Sequence, residues 1–379
     1  IINTELHINN EIINLQINID GIPLFKSAAK QFWPILCRID YKPMIYKPFP
    51  LAIYAGNSKP KLLTDFLQKL ITEINILQTN GFNIDNKNYK VKIKCFIYDT
   101  PARSFIKSTV SHTGFSCCER CTAIGKKVNR VTVISSIDSP ERTDETFRSF
   151  LDPHHHKNAT PLLLIDPPIN MVNCFLLAFM HLGCLAYKLE LSRRLQTIRS
   201  FVPNDFQRKP RDVDTLCRWK ATEFMLFLLY IGPIVLKGLL RKTEYNNFLL
   251  LHMACRLLCT ESKAVMYVEN AKEYLRAFCA SSQEIYGEQF AVINVHNLIH
   301  LADDVRNMNS TLINISAYSF ENCLGMIKKV LRSPNRPLAQ LCRRIHEKNG
   351  MQNTLKSTIP SIVEYREKGN TILEVTYKG

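Results

Sequence analysis

A strand-like run near residue 90 is the feature that most constrains the fold of this chain. The segment "NYKVKIKCFIYD" (88–99) alternates apolar and polar side chains from Val91 to Ile97, which is the period of a β-strand with one buried face. It ends on Asp99, and a Cys-x-x-Cys pair begins nineteen residues later at Cys118. A carboxylate directly after a buried strand is costly unless it is paired or bound to a metal. The run therefore predicts a strand and marks the start of a candidate site.

The segments before this strand predict a mixed α/β order. Three of them, "IINLQINID" (12–20), "QFWPILCRI" (31–39) and "PFPLAIYAG" (48–56), read as strands, and Pro34 indicates an edge position or a bulge. Residues 61–77 have apolar side chains at three-to-four spacing, which predicts an amphipathic helix. The order strand–strand–strand–helix–strand opens a ribonuclease-H-like fold, and other α/β folds also begin in this way.

The remainder of the chain is mainly helical in pattern. Residues 122–168 are polar and irregular, whereas helical patterns dominate from about 169 to 290 and return over 318–332. Two apolar runs, 171–187 and 224–236, are too short or too polar to span a bilayer, so we read both as buried helices and expect no membrane partner. The final thirty residues read as a weakly ordered tail or a short strand, "TILEVTY".

Charge and cysteine content narrow the classes of function. Lys and Arg number 49 against 33 Asp and Glu, and the resulting net charge of +16 favours a polyanionic partner, with nucleic acid ahead of anionic membrane. Thirteen cysteines, an odd number, and no secretory leader indicate a reduced compartment, cytosol or nucleus. The chain begins on Ile1 rather than Met, from which we expect a fragment or processed product that lacks a DNA-binding or regulatory piece.

Two pairs of side chains are candidate zinc ligands. Cys118 and Cys121 form the Cys-x-x-Cys pair, and "NVHNLIHL" places His296 and His300 four residues apart, on one face of a helix. Two thiolates and two imidazoles make a closed tetrahedral zinc site of the structural kind. The alternative is a chance cysteine pair together with two histidines packed in the core.

Two other features compete for the same role. Cys117 is a substitute for Cys118 as the first thiolate. The run "HHH" (154–156) also offers imidazoles, but a solvated polar loop is the simpler interpretation of it.

Three acids are candidate catalytic residues. Asp20 and Asp99 each follow an apolar strand, and Glu321 lies at the start of the helical segment "YSFENCLGMIKKVLR". If the strands are neighbours, the acids converge, and such a trio can hold two divalent ions about 4 Å apart for phosphodiester chemistry, with Mg²⁺ suited to oxygen ligands. The alternative is local: turn chemistry for the aspartates and a favourable helix N-terminus for the glutamate. Asp166 is a second, weaker choice for the middle acid.

Basic residues follow the third acid. Lys328, Lys329, Arg332 and Arg336 can line a phosphate-binding face, although a solvated helix surface has the same composition.

Several blocks together resemble one protein family, the transposase-derived proteins of animal genomes related to CACTA (En/Spm)-type DDE transposases. The similarity covers about residues 12–347. Its blocks are "NIDGIPLFKS", "QFWPILCRI", "GNSKP", "FIYDTPARSFIK…HTGFSCCERC", "RTDETFR", "RKPRDVDTLCRWKATEFMLFLLYIGPIVL", "NVHNLIHLADDV" and "ISAYSFENCLGMIKKVLRSPNRPLAQLCRR".

The resemblance implies a ribonuclease-H-like mixed-sheet core interrupted by a large, mainly helical insertion. The first part of the core spans 1–120, the insertion 121–290 and the final core helix with the histidine pair 291–347, before a tail at 348–379. It also implies a nuclear, DNA-binding enzyme that cleaves DNA and transfers strands with two Mg²⁺ or Mn²⁺ ions, and leaves a homo-oligomer open. The catalytic acids would be Asp20, Asp99 and Glu321.

A second likeness concerns the zinc ligands and the insertion. The spacing of the cysteine and histidine pairs is similar to that in the V(D)J recombinase catalytic subunit, where such pairs share one zinc ion. In "LLAFMHLGCL" the chain keeps His181 of a family motif in the insertion but has Ala178 where an acid is expected. This departure favours an alternative function: a domesticated or degenerate relative that binds DNA or protein without catalysis.

Overall fold

The computed structural model describes residues 11–25, 28–42, 44–84, 86–177, 188–206, 208–353, 361–368 and 371–378. Its strands are β1 (Ile12–Ile19), β2 (Ile22–Phe25), β3 (Ala28–Ile39), β4 (Phe49–Gly56), β5 (Phe82–Ile84), β6 (Lys87–Ile97), β7 (Lys126–Val128), β8 (Val131–Val133), β9 (Phe175–Leu176), β10 (Ser361–Lys368) and β11 (Thr371–Lys378).

Its α-helices are α1 (Leu63–Thr79), α2 (Thr100–Ile106), α3 (Asp144–Arg148), α4 (Lys188–Arg199), α5 (Ala221–Leu226), α6 (Gly232–Leu236), α7 (Lys242–Cys259), α8 (Val268–Tyr286), α9 (Ile293–His296), α10 (Leu301–Met308), α11 (Tyr318–Lys329) and α12 (Pro337–Asn353). The chain is therefore mixed α/β, as the sequence predicts.

A mixed sheet forms from the four predicted strands and three shorter ones. Its main path is β2-β3-β1-β6-β5, with β4 also pairing to β3 and β9 to β6. β1 is antiparallel to β3 and parallel to β6. A parallel pair needs a long crossover, and α1 lies in the connection between β4 and β6. The three predicted strands, the helix and the further strand occur in the predicted order, with β2 and β5 as additional short strands.

The central strand β1 has buried side chains on both of its faces. Its apolar residues Ile13, Leu15, Ile17 and Ile19 are buried, as alternation predicts for one face. Gln16, on the opposite face, is buried too. A polar side chain in such a place needs hydrogen-bond partners, because leaving it unpaired costs about 1–3 kcal/mol.

Helix α1 covers the sheet through a regular apolar stripe. Leu67, Leu70, Ile71 and Ile74 are its buried apolar residues, at three-to-four spacing, and the helix packs against β6. Each such side chain contributes roughly 1.5–3 kcal/mol when fully buried. The predicted amphipathic helix at 61–77 is confirmed, displaced by two residues at each end.

The chain divides into two compact units. The first unit comprises Ile1–Ser108, Asn158–Phe175 and Ala317–Gly379, and contains the mixed sheet with α1, α2, α11 and α12. The second unit comprises Thr109–Lys157 and Leu176–Ser316, and contains α3 to α10 with the β7–β8 hairpin.

The apolar run at 224–236 lies in the second unit and forms α5, a π-helical turn and α6. Leu226, Ile231, Val235 and Trp219 are buried together in one core cluster, so this run is a buried helical segment, as predicted. Within the parts of the chain that the structure describes, no helix combines the length and apolar character that a bilayer crossing needs. Of the other apolar run, residues 178–187 lie outside the described residues.

The end of the chain forms an antiparallel hairpin of β10 and β11. The predicted short strand "TILEVTY" corresponds to β11.

Candidate metal centre and acid cluster

The two cysteine and histidine pairs come together in the second unit. The Sγ atoms of Cys118 and Cys121 lie 3.5 Å apart. His296 Nε2 lies 3.3 Å from Cys121 Sγ, and His300 Nε2 lies 3.7 Å from Cys118 Sγ. All four ligand atoms lie within 4.8 Å of one another, and all four residues are buried. The segment "NVHNLIHL" (294–301), predicted as helical, is divided: His296 ends α9, and His300 ends a 3₁₀ turn before α10.

Backbone geometry explains why the cysteine loop presents both sulfurs on one side. The backbone N–H groups of Arg120 and Cys121 donate to Cys118 Sγ at 3.5 and 3.4 Å. The Arg142 guanidinium also fixes the Cys118–Cys121 loop, because its Nε donates to the Cys118 carbonyl oxygen at 3.1 Å. N–H donors that point at a sulfur favour its thiolate form.

The charge state of the thiols follows from these contacts. Burial raises the pKa of Cys118, but the bonds with Cys121, His296 and His300 outweigh it and hold that pKa well below its usual value. The bond to Cys118, with burial, raises the pKa of Cys121. These contacts favour the thiolate at Cys118 and the thiol at Cys121, and a divalent cation between them would make both thiolates.

This donor set fits a metal ion such as zinc. Two sulfurs and two imidazole nitrogens that converge in a buried place match the tetrahedral, closed coordination of structural zinc. Cys117 is also buried, but burial raises its pKa to about 12 and it is not part of the converging group. The first thiolate is therefore Cys118, which resolves the alternative that the sequence leaves open.

A buried ion pair beside the cluster is a feature that sequence reasoning missed. The Arg120 guanidinium, from within the Cys-x-x-Cys loop, bonds Asp304 on α10, one turn after His300. The other carboxylate oxygen of Asp304 accepts from the backbone N–H of Leu177 at 2.9 Å. The pair joins residues 184 positions apart, so no local pattern in the sequence signals it.

The run at 154–156 is only in part the solvated loop that the sequence suggests, since His154 is exposed. His155 is fully buried and its Nδ1 lies 2.7 Å from the Ser116 carbonyl oxygen. The His156 ring packs against Phe147 and Phe150, with ring centroids 4.5 Å apart in both cases. The prediction was wrong for His155 and His156, because a carbonyl oxygen and aromatic rings take the place of water around their imidazoles.

The first two acids lie at the same edge of the mixed sheet in the first unit. Asp20 directly follows β1, and its Oδ1 accepts from the Gly21 N–H at 2.7 Å. Asp99 follows β6 and caps α2, since its Oδ1 accepts from the Ala102 N–H at 2.7 Å. Because β1 and β6 are parallel neighbours, both carboxyl ends lie at one edge. These turn and cap hydrogen bonds also agree with the alternative interpretation, in which the two aspartates stabilise a turn and a helix N-terminus.

Electrostatics connects Glu321 to this pair. Glu321 lies in the first turn of α11 and is exposed. Burial, then the charge of Asp99 and that of Glu321, raise the pKa of Asp20 to about 7, against the opposing Gly21 bond. The three acids therefore lie near one another, with Asp99 and Glu321 both within electrostatic reach of Asp20. They form a looser group than the cysteine–histidine cluster, which among the described residues is the set whose ligand atoms meet within 4.8 Å.

Asp166, the weaker choice for the middle acid, lies beside the C-terminal half of α1. Its N–H donates to Asn75 Oδ1, and its carbonyl accepts from Gln78 Nε2, both at 2.9 Å. Its side chain is exposed and does not act on the pKa of Asp20. The charge of Asp99, in contrast, raises the pKa of Asp20.

An aromatic group adjoins the two aspartates. A Cβ atom on Gly21 would lie 2.9 Å from the indole of Trp33. That indole packs edge-on against Phe105 of α2 at 5.3 Å, and Lys59 Nζ lies 4.6 Å from the centre of the Phe105 ring. The sequence signal for this contact is the small residue after Asp20.

The four basic residues are all exposed and belong to the same unit as the acids. Lys328 Nζ donates to the Pro23 carbonyl oxygen of β2 at 2.7 Å, which anchors the end of α11 beside the strand that follows Asp20. Arg332 and Arg336 follow in the connection to α12. His181 and Ala178 lie outside the described residues.

Comparisons with known protein families and with curated proteins give no match to this chain.

Proposed function

We propose that this chain is a DDE transposase-like protein that cleaves DNA phosphodiester bonds and transfers DNA strands in a metal-dependent reaction. The observation that carries the proposal is the position of Asp20 and Asp99 after the neighbouring parallel strands β1 and β6. Burial, and after it the charges of Asp99 and Glu321, raise the pKa of Asp20 to about 7, which supports one site for the three acids. These residues come from distant parts of the sequence, and clustered like charges of this kind are typical of functional sites.

A ribonuclease-H-like core with a helical insertion is the architecture that we propose with this activity. The antiparallel β4, β3 and β1, followed by a crossover through α1 to the parallel β6, support it. The second unit lies in sequence between segments of the first, which supports an insertion. The limits 1–120, 121–290, 291–347 and 348–379 remain those of the sequence prediction.

The acids suit two Mg²⁺ or Mn²⁺ ions. Their donor atoms are carboxylate oxygens, which Mg²⁺ prefers, and a cation would relieve the repulsion that raises the pKa of Asp20. Bound ions of this kind activate an attacking oxygen and stabilise the leaving oxygen. Asp20 and Asp99 would hold them from adjacent strands and Glu321 from α11.

DNA is the partner that we propose, in the nucleus. The exposed Lys328, Lys329, Arg332 and Arg336 follow the acid-bearing turn of α11 and carry the positive charge that phosphate contacts need. The net charge of +16 has the sign that a polyanion attracts.

The zinc ion would be structural. Four protein ligands fill a tetrahedral shell and leave no open position for a substrate. Cys118, Cys121, His296 and His300 would then join two distant segments of the second unit.

A plasmid-nicking assay tests the activity. We expect the purified chain to nick supercoiled DNA with Mn²⁺, and Asp99→Ala to reduce the rate at least about 100-fold because an ion loses a ligand. Asp166→Ala is the matched control and keeps the wild-type rate. Equal nicking by wild type and Asp99→Ala would reject the proposal.

The second candidate is a degenerate relative that binds DNA without cleaving it, favoured by Ala178 at the position of an expected acid. A gel-shift experiment separates the two. DNA binding that depends on Lys328 and Arg332, without Mn²⁺-dependent nicking in wild type, would establish this alternative.

A further inference from the structure

A buried polar network crosses the mixed sheet and involves each element that carries an acid. It consists of Lys94 on β6, Asp40 just after β3, Gln16 on β1, Arg38 on β3 and Ser319 on α11. We call these five residues the polar brace.

The bonds of the brace are well formed. Lys94 Nζ lies 2.6 Å from Asp40 Oδ2, which bridges β6 and the end of β3 across the intervening β1. Gln16 Nε2 donates to the other oxygen, Asp40 Oδ1, at 2.7 Å. Gln16 Oε1 accepts from Arg38 Nε at 3.1 Å and also from Arg38 Nη2. Both ends of the Gln16 amide are therefore fixed.

Arg38 extends the brace to α11. Its Nη1 donates to Ser319 Oγ at 2.6 Å, and its guanidinium carbon lies 5.2 Å from the centre of the Phe320 ring. Both contacts are in the first turn of α11, directly before Glu321. The planar guanidinium fork fixes direction as well as distance, which a lysine could not do.

The first turn of α11 needs such an anchor. Its N-cap is Ala317, which makes no side-chain cap hydrogen bond. A side-chain cap is one of the interactions that fix the first turn of a helix, and α11 lacks it. Later contacts hold the remainder of the helix, through Cys323 to Pro48 and Lys328 to Pro23.

Burying this set costs free energy, and an apolar replacement is often at least as stable. Gln16 and Arg38 are nearly inaccessible to solvent, at 0% and 2% exposure. The polar side chains of the brace instead fix the positions of β1, β6 and α11 relative to one another. Asp20 follows the strand of Gln16, Asp99 follows the strand of Lys94, and Glu321 follows Ser319.

We propose that Arg38 is a positioning residue: through Ser319 and Phe320 it sets the first turn of α11 so that Glu321 faces Asp20 and Asp99. This inference rests on the proposed function for its consequence in metal binding, but the anchoring of α11 can be measured without it. Gln16 and Asp40 hold Arg38, and Lys94 ties the same network to β6.

Two readouts on the full chain test the brace. Amide hydrogen exchange over residues 318–326 reports the first turn of α11, and electron paramagnetic resonance of free Mn²⁺ gives the Mn²⁺ dissociation constant. For Arg38→Met we expect faster exchange in that turn and Mn²⁺ binding about tenfold weaker, the usual loss when an outer partner of a metal ligand is removed.

A control separates positioning from general stability. Leu67→Ala removes a fully buried apolar side chain of α1 in the same unit, and Leu67 takes no part in the hydrogen bonds of the brace. It should lower the melting temperature and leave exchange over 318–326 and the Mn²⁺ dissociation constant unchanged. The inference is overturned if Arg38→Met behaves like Leu67→Ala.

Milder variants cover the case in which Arg38→Met does not fold. Ser319→Ala and Arg38→Lys each remove the Arg38–Ser319 bond and should change both readouts in the same direction by a smaller factor. Unchanged exchange in both variants would overturn the inference. If wild type binds no Mn²⁺, the proposed function fails, and faster exchange in the variants still supports the brace.

Discussion

The cysteine–histidine cluster and the acid cluster solve opposite electrostatic problems. In the first, backbone N–H groups and imidazoles surround the sulfur of Cys118 and favour its thiolate, and four ligand atoms already lie within 4.8 Å of one another. In the second, burial and then the negative charges of Asp99 and Glu321 raise the pKa of Asp20 to about 7. A structural site can be assembled by the fold alone, whereas a cluster of like charges is stable only with a proton or a cation.

Loss of a zinc ligand should have the largest effect. For Cys118→Ser we expect about one zinc ion lost per chain and a fall in the free energy of unfolding on the order of 5 kcal/mol, because metal binding and folding are coupled. Metal analysis with urea unfolding measures both. Cys117→Ser, the adjacent buried thiol, should keep the ion. A wild-type protein that binds no zinc would contradict the interpretation of the cysteine–histidine cluster as a metal site.

Loss of the buried ion pair should come next. Asp304→Asn leaves the Arg120 guanidinium without its charge partner in the interior, which costs about 3–5 kcal/mol. Urea unfolding of the zinc-loaded protein measures the change. The neighbouring Asp303→Asn, whose partners Lys272 and Arg306 are partly exposed, should cost less than about 1 kcal/mol. Equal losses would mean that burial does not distinguish the two pairs.

The pH dependence of stability tests the acid cluster directly. The folded pKa of Asp20, about 7, lies above its ordinary value of 3.8, so its contribution to stability is complete below pH 4 and is lost as the pH rises through 7. Asp20→Asn should therefore gain stability over wild type as the pH rises from 5 to 9. We expect about 2 kcal/mol, discounted for partial exposure. A constant difference in urea unfolding across this range would contradict the raised pKa of Asp20.

The smallest expected effect concerns the turn after Asp20. Gly21→Ala forces a Cβ atom against the Trp33 ring at 2.9 Å, which should cost about 1–3 kcal/mol and shift the tryptophan fluorescence. Gly325→Ala, in open space on α11, should instead stabilise by about 0.5–1 kcal/mol. Similar effects of both substitutions on stability would show that the Trp33 ring moves aside without a loss of folding free energy.

Sequence patterns predicted what depends on local period and residue type. The alternation in β6 predicts a strand, and the apolar stripe of α1 predicts a helix. The cysteine and histidine pairs indicate a metal site because their side chains carry sulfur and nitrogen donor atoms. The long-range polar partners could not be predicted. Arg120 with Asp304 and Arg38 with Ser319 are 184 and 281 positions apart, and each partner alone reads as an ordinary charged or polar residue.

The interleaving of the two units has a consequence for synthesis on the ribosome. The last zinc ligand, His300, and the last residue of the second unit, Ser316, are both made before Glu321. Domains generally fold as units as the chain emerges. A nascent chain therefore contains all four residues of the cysteine–histidine cluster before it contains Glu321, so that the cluster can assemble before the acid group is complete.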